Sequence, residues 1–225
     1  MMNLFSVFDP CSSLLFSLNW ISSIYVILFM PMIYWFIPSR LSMFYYKIFY
    51  LLSKEFNVLL NNLENKFNLI LMLSLFMMIF LNNFLGMFSY IFTSSSHLVM
   101  SLSLSMSLWL MMMLFGWLKN SNHMFAHLVP QGTPGILMPF MVIVESLSNM
   151  IRSGTLSVRL SANMIAGHLL MTLISSTGTN LSLILLILMI LCQSILIILE
   201  LSVSVIQAYV FSVLSTLYSS EVNYE

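Results

Sequence analysis

Glu145, Arg152 and Arg159 recur at intervals of seven, and a step of seven returns to within about 20° of the same face of an α-helix. Ser148, Asn149, Thr155 and Asn163 fill the same stripe at steps of three and four. Further on, Gln193, Glu200, Ser204 and Gln207 make a second stripe at steps of 7, 4 and 3. Two polar seams on otherwise apolar rods suit a water-accessible path or a sliding interface. Arg159 stands out among them. Its guanidinium keeps its proton, the next formally charged side chain is Glu200, and arginine at the centre of an apolar span costs about 2.5–3.5 kcal/mol even on insertion scales. Ionisable groups inside a membrane are functional by default. One fixed cation, a few carboxylates and His168, a side chain type that changes charge near neutral pH, suit a proton relay. His168 lies nine residues after Arg159 and so projects about 180° from it.

Each of these residues also has a structural explanation. Ser, Thr and Asn join helices to one another in membranes, and Arg152 or Glu145 can snorkel to an interface. An Arg159–Glu200 salt bridge is the competing account of the arginine. The pair His123 and His127 in HMFAH lacks the glutamate of a zinc-protease helix and falls in a loop. Cys11 and Cys192 have no CxxC or Cys/His spacing, so no disulfide framework or zinc site is expected. With no Walker motif, no GxGxxG and no Ser/His/Asp grouping, neither a nucleotide site nor another cofactor is expected.

The setting follows from composition. Of 225 residues 60% are hydrophobic and 6% charged, against about 25% charged in soluble domains, and the mean hydropathy is +1.00. This predicts a polytopic membrane protein of one integral domain. Seven basic and seven acidic residues cancel, which points to lipid and membrane subunits as partners and away from nucleic acid. The opening MMNLFSVFDP has no basic n-region, so no signal or transit peptide is expected.

The elements that must position the seams can be placed by charge and length. Residues 14–37 are uncharged and long enough to cross about 30 Å of hydrocarbon. Residues 40–66 hold six charges, with Arg40, Lys47 and Lys54 at sevens on one face, and predict an amphipathic helix on the membrane surface. Residues 67–91 and 98–118 predict a helical hairpin joined through FTSSSH. Four of the seven basic residues lie within 40–66, so the positive-inside rule places that stretch inside and the N-terminus outside. Two segments remain, 134–174 and 181–220, joined by SSTGTN. Either as one helix is roughly 60 Å long, twice the hydrocarbon thickness. Such a helix tilts, bends or breaks, with Gly154 and Gly167 as weak points of the first, and hydropathy alone leaves two ordinary spans each as an alternative.

The strings HMFAHLVPQGTPGILMPFMVIVES, RSGTLSVRLSANMIAGHLL and IQAYVFSVLSTLYSSEVN resemble subunit a of the mitochondrial F-type ATP synthase, and NLFSVFDP with YWFIPSR is similar to its insect or arthropod form. The resemblance covers essentially the whole chain. It implies an all-α stator subunit in the mitochondrial inner membrane, N-terminus toward the intermembrane space and C-terminus toward the matrix, with the two long helices strongly tilted around a rotating ring of c subunits. Peripheral-stalk and other membrane subunits are the further partners implied, and protons the transported ion. It further implies that Arg159 faces the ring carboxylate, that His168 and Glu200 form the inlet half-channel, that Glu145 and Glu221 belong to the matrix half-channel, and that Asn163 and Gln207 are polar neighbours of the arginine. Catalysis on nucleotide is not expected in this chain. A self-contained proton-coupled transporter and a purely structural anchor are the alternatives. The pairing of His168 with Glu200 rests on the resemblance alone, because a hairpin folded symmetrically about SSTGTN puts Arg159 opposite residue 196 and sets His168 about 13 residues in register from Glu200.

Overall fold

The chain forms an all-α polytopic membrane protein in the computed structural model, which describes residues 4–11, 16–31, 34–60, 66–88, 90–129, 134–178 and 182–222. Two 3-10 turns, Leu4–Phe8 and Leu18–Ile21, precede α1 (Ser22–Tyr25), and a third, Val26–Phe29, follows it. Then come α2 (Arg40–Leu59), α3 (Lys66–Gly86), a 3-10 turn at Ser94–Ser96, α4 (Leu98–Lys119), α5 (Ser121–His127), α6 (Met138–Thr177) and α7 (Leu183–Val222). Four helices, α3, α4, α6 and α7, are long and apolar enough to cross a membrane.

Of the stretch expected as a first span, Leu18–Phe29 is helical. The run stops where Met30 turns extended, φ −72° and ψ 125°, because the ring of Pro31 disfavours helical backbone at the residue before it. The amphipathic stretch starts where expected: Ser39 caps α2 by accepting the backbone N–H of Ser42 at 3.3 Å. The HMFAH segment, expected in a loop, lies in the short helix α5.

Both long segments are single helices of 40 residues, about 60 Å each. Gly154 and Gly167 do not break α6, which runs through both. Nor does its polar end. Ser175, Ser176 and Thr177, expected in the turn, donate to the carbonyls of Thr172, Leu173 and Ile174 at 2.8–2.9 Å and so remain helical. Hydroxyls throughout the spans behave likewise. Ser148 donates to Glu145 O, Thr155 to Arg152 O and Ser204 to Leu201 O. A serine that satisfies itself on its own helix needs no water and no neighbour, which explains how so serine-rich a chain tolerates hydrocarbon.

The core sits where α2 and α7 clasp α3. Phe56 of α2, Met72 and Met77 of α3, and Ala208 and Phe211 of α7 are buried together. Ser215 of α7 donates to the thioether of Met72 at 3.0 Å, and Tyr209 of α7 donates to Glu55 of α2 at 3.2 Å. At the other end of α3, a Cβ on Gly86 would lie 2.8 Å from Thr93 Cγ2. Glycine there lets the α3–α4 connection fold back onto the helix. Thr93 donates to Ser96 Oγ, which donates to Thr93 O, and Ser94 donates to Asn82 Oδ1. Phe56→Ala removes a ring that is 0% exposed. It should lower stability by about 3 kcal/mol, against less than about 1.5 kcal/mol for Phe56→Leu, as measured by thermal dissociation of the chain from its assembled complex.

Candidate functional site

The register of α6 against α7 decides which polar residues meet. Gln207 donates through Nε2 to the carbonyl of Arg159 at 3.4 Å. His168 Nε2 lies 3.8 Å from Glu200 Oε1. A Cβ on Gly178 would lie 2.9 Å from the sulfur of Met189, and one on Gly167 would lie 2.7 Å from Glu200 Oε1. In these four contacts the residue numbers add to 366, 368, 367 and 367, so the pair is one antiparallel hairpin with a constant offset. The symmetric hairpin does not form. Gly178, at the end of α6, meets Met189 rather than the first turn of α7, so Leu183 to Leu188 extend about 9 Å beyond it at 1.5 Å per residue. That overhang brings His168 to Glu200 and Gln207 to Arg159.

His168 and Glu200 are each 8% exposed. Gly167 makes their approach possible, since the carboxylate of Glu200 occupies the space a Cβ would take. Phe8 packs its ring edge-on to His168 with centroids 6.2 Å apart. The backbone carrying Phe8 is pinned from two sides: His97 Nε2 donates to Phe8 O at 3.0 Å, and Asn19 donates to Asp9 O at 3.1 Å. His97 itself lies against Trp20 and Phe92, with centroids 5.3 and 5.2 Å away. The N-terminal segment therefore covers the buried pair.

Arg159 and Asn163, one turn apart, are exposed on the outer side of α6. Arg159 forms no ion pair among the described residues. Glu200 meets α6 at the level of Gly167, eight residues from Arg159, or about 12 Å along the helix. The carboxylate thus belongs to the histidine, and the arginine is free to face something outside the chain.

Glu145 is fourteen residues from Arg159 in the other direction, about 21 Å. With Asn149, Arg152 and Tyr218 it lines a cavity of about 230 Å³ whose other walls include Trp109 and Met112 of α4 and Phe211 of α7. The Arg152 guanidinium sits 5.2 Å from the centre of the Tyr218 ring, a cation–π contact. Glu221 falls on the last turn of α7, and its side chain lies outside the described residues. From Glu145 to His168 is 23 residues of one helix, about 35 Å along its axis, with the arginine between the two ends.

The sequence reading missed Phe8, Tyr218 and the role of Gly167. The N-terminal phenylalanine had no signal, since its importance depends on contacts 89 and 160 residues away. Gly167 did have one, a glycine beside a histidine in an apolar helix. Gly167→Ala should push Glu200 away and widen the 3.8 Å separation from His168. Gly154→Ala, with nothing within 4 Å of its Cβ, should leave the pair in place and favour the helix by up to about 1 kcal/mol. Structures of the two variants, with a double-mutant cycle on positions 167 and 200, check this. A coupling near zero would contradict the contact.

Residues 10–220 match the family described as ATP synthase A chain. The chain is similar to ATP synthase subunit a of Drosophila melanogaster, 56% identical over 223 residues, covering 99% of this chain and 100% of the relative. It is likewise similar to ATP synthase subunit a of Aedes aegypti, 55% identical over 225 residues with 99% and 100% covered, and of Locusta migratoria, 51% identical over 223 residues with 99% of each covered.

Proposed function

The chain belongs to the ATP synthase A chain family, and from that premise we propose how its residues conduct protons. It is the proton-translocating membrane subunit of the F-type ATP synthase, a multi-pass protein of the mitochondrial inner membrane that works with the other subunits of that synthase. In our reading it carries no catalytic nucleotide site and serves as the stator for a rotating ring of c subunits. His168 and Glu200 form the inlet half-channel. Glu145 and Glu221 form the matrix half-channel, with the cavity beside Arg152 and Tyr218 as its body. Arg159 faces the ring carboxylate between them, with Asn163 and Gln207 beside it. The N-terminus lies toward the intermembrane space and the C-terminus toward the matrix, and the 60 Å helices run tilted around the ring.

The observation that carries this reading is the position of Arg159. It is an exposed cation with no ion pair among the described residues, set about 12 Å along the helix from the buried Glu200 and about 21 Å from the half-buried Glu145. Exposure toward hydrocarbon alone would be costly, so the face requires a partner. A carboxylate about 4 Å from a guanidinium gains on the order of 4 kcal/mol at an effective dielectric near 20, enough to keep a passing ring carboxylate ionised. The membrane potential contributes about 2.3 kcal/mol per charge per 100 mV, so a continuous aqueous path would leak. Two dead ends separated by a fixed positive charge do not. The reading of Arg159 as a mere counter-ion to Glu200 loses its basis, since Glu200 lies against His168 instead.

Arg159→Ala should abolish proton-driven ATP synthesis in the assembled complex while leaving the His168–Glu200 pair intact. Wild-type coupling between proton flow and synthesis in that variant would overturn the proposal.

A further inference from the structure

α3 carries adjacent asparagines that behave in opposite ways. Asn82 accepts a hydrogen bond from Ser94 and helps hold the α3–α4 connection. Asn83, about 100° further round the helix, is 0% exposed, and neither its Oδ1 nor its Nδ2 has a hydrogen-bond partner among the described residues. A buried amide without partners weakens a fold, whereas an apolar side chain of similar size would strengthen the packing. The fold does not account for this residue.

Two independent registers place Asn83 along the membrane. The Ser215–Met72 hydrogen bond sets α7 antiparallel on α3, which puts Asn83 opposite Ser204. Gly86, whose Cβ would lie 3.4 Å from Met164 Cε, sets α6 alongside α3 and puts Asn83 level with Ser161. Ser161 in turn lies opposite residues 206 and 207 in the α6–α7 register. Asn83 is therefore in the slab between Ser204 and Gln207, one to two turns from Glu200 on the side toward Arg159. In the same slab Gln207 is bound through Nε2 to Arg159 O while its buried Oε1 has no partner among the described residues. Ser204 and Ser161 donate their protons to their own helices, which leaves their oxygens free to accept.

We propose that Asn83, with Gln207 and Ser204, binds water between the His168–Glu200 pair and Arg159 and is a positioning residue of the inlet path. This rests on the assignment of His168 and Glu200 to the inlet. The amide accepts through Oδ1 and donates through Nδ2, which fixes the orientation of the waters. A proton released from the Glu200 side passes along them. Each water takes one proton from behind and gives one ahead, and the last one protonates the ring carboxylate. Asn83 itself neither gains nor loses charge.

Valine and threonine have the same shape and differ in one hydroxyl, so they separate packing from water binding. In the assembled synthase, Asn83→Thr should retain proton-driven ATP synthesis within about threefold of wild type. Asn83→Val should assemble at least as well as Asn83→Thr and dissociate at the same or a higher temperature, yet synthesise ATP at least tenfold more slowly. Equal rates in the two variants would overturn the inference. So would a slow Asn83→Val whose loss tracks its assembly rather than its turnover. Arg159→Ala is measured beside them. If it retains coupled synthesis, the underlying reading of the path fails; if it is inactive while Thr and Val are equal, only the role of Asn83 fails.

Discussion

The register between α6 and α7 is the constraint on which the site depends. Four contacts spread over the hairpin, at Arg159, Gly167, His168 and Gly178, share one offset to within a residue. Slide α7 by one turn and Glu200 leaves the gap at Gly167, Gln207 leaves the backbone of Arg159, and the cavity between Arg152 and Tyr218 loses a wall. The offset is held at both ends by small contacts rather than by one strong bond. Glycines on α6 admit Met189 and Glu200, and α3 braces α7 through Met72 and Phe211.

Within that frame the polar groups divide into two kinds. Most hydroxyls of the spanning helices donate to the carbonyl three residues back on their own helix and need no donor-side partner elsewhere. An ionised carboxylate has no proton to give a helix carbonyl, and Asn83, His168 and Gln207 each keep a buried polar atom that makes no hydrogen bond among the described residues. Among the described residues of the membrane-spanning helices, Asn83, His168, Glu200 and Gln207 are the buried groups with atoms lacking hydrogen-bond partners. The broad seams inferred from spacing contract to these few residues.

The four long apolar helices were legible because hydrocarbon demands apolar runs of fixed length, whereas the expected span 14–37 is helical only over Leu18–Phe29; the amphipathic α2 was legible because its charges fall at sevens. Arg159 was legible from energy alone. The outer face shared by Arg159 and Asn163 followed from helical periodicity, and so did the turning of His168 to the other side, where it is buried. Periodicity also placed serines on the seams without showing that they had satisfied themselves, and it suggested helix breaks at Gly154 and Gly167 that α6 does not make. Pro31 lies in the first apolar run and turns Met30 out of the helix, a local backbone effect to which hydropathy is blind.

By itself the sequence determined that this chain is a set of membrane helices with an arginine, Arg159, deep in a long apolar tract, since composition and period are properties of each segment alone. Its motifs also identified the family. Only the tertiary structure decided which residues face each other across helices. A hairpin's offset depends on how far α7 overhangs the end of α6, and no local pattern encodes that distance. For this reason the His168–Glu200 pair, the cover of Phe8 over it and the solitary amide of Asn83 came into view with the packing.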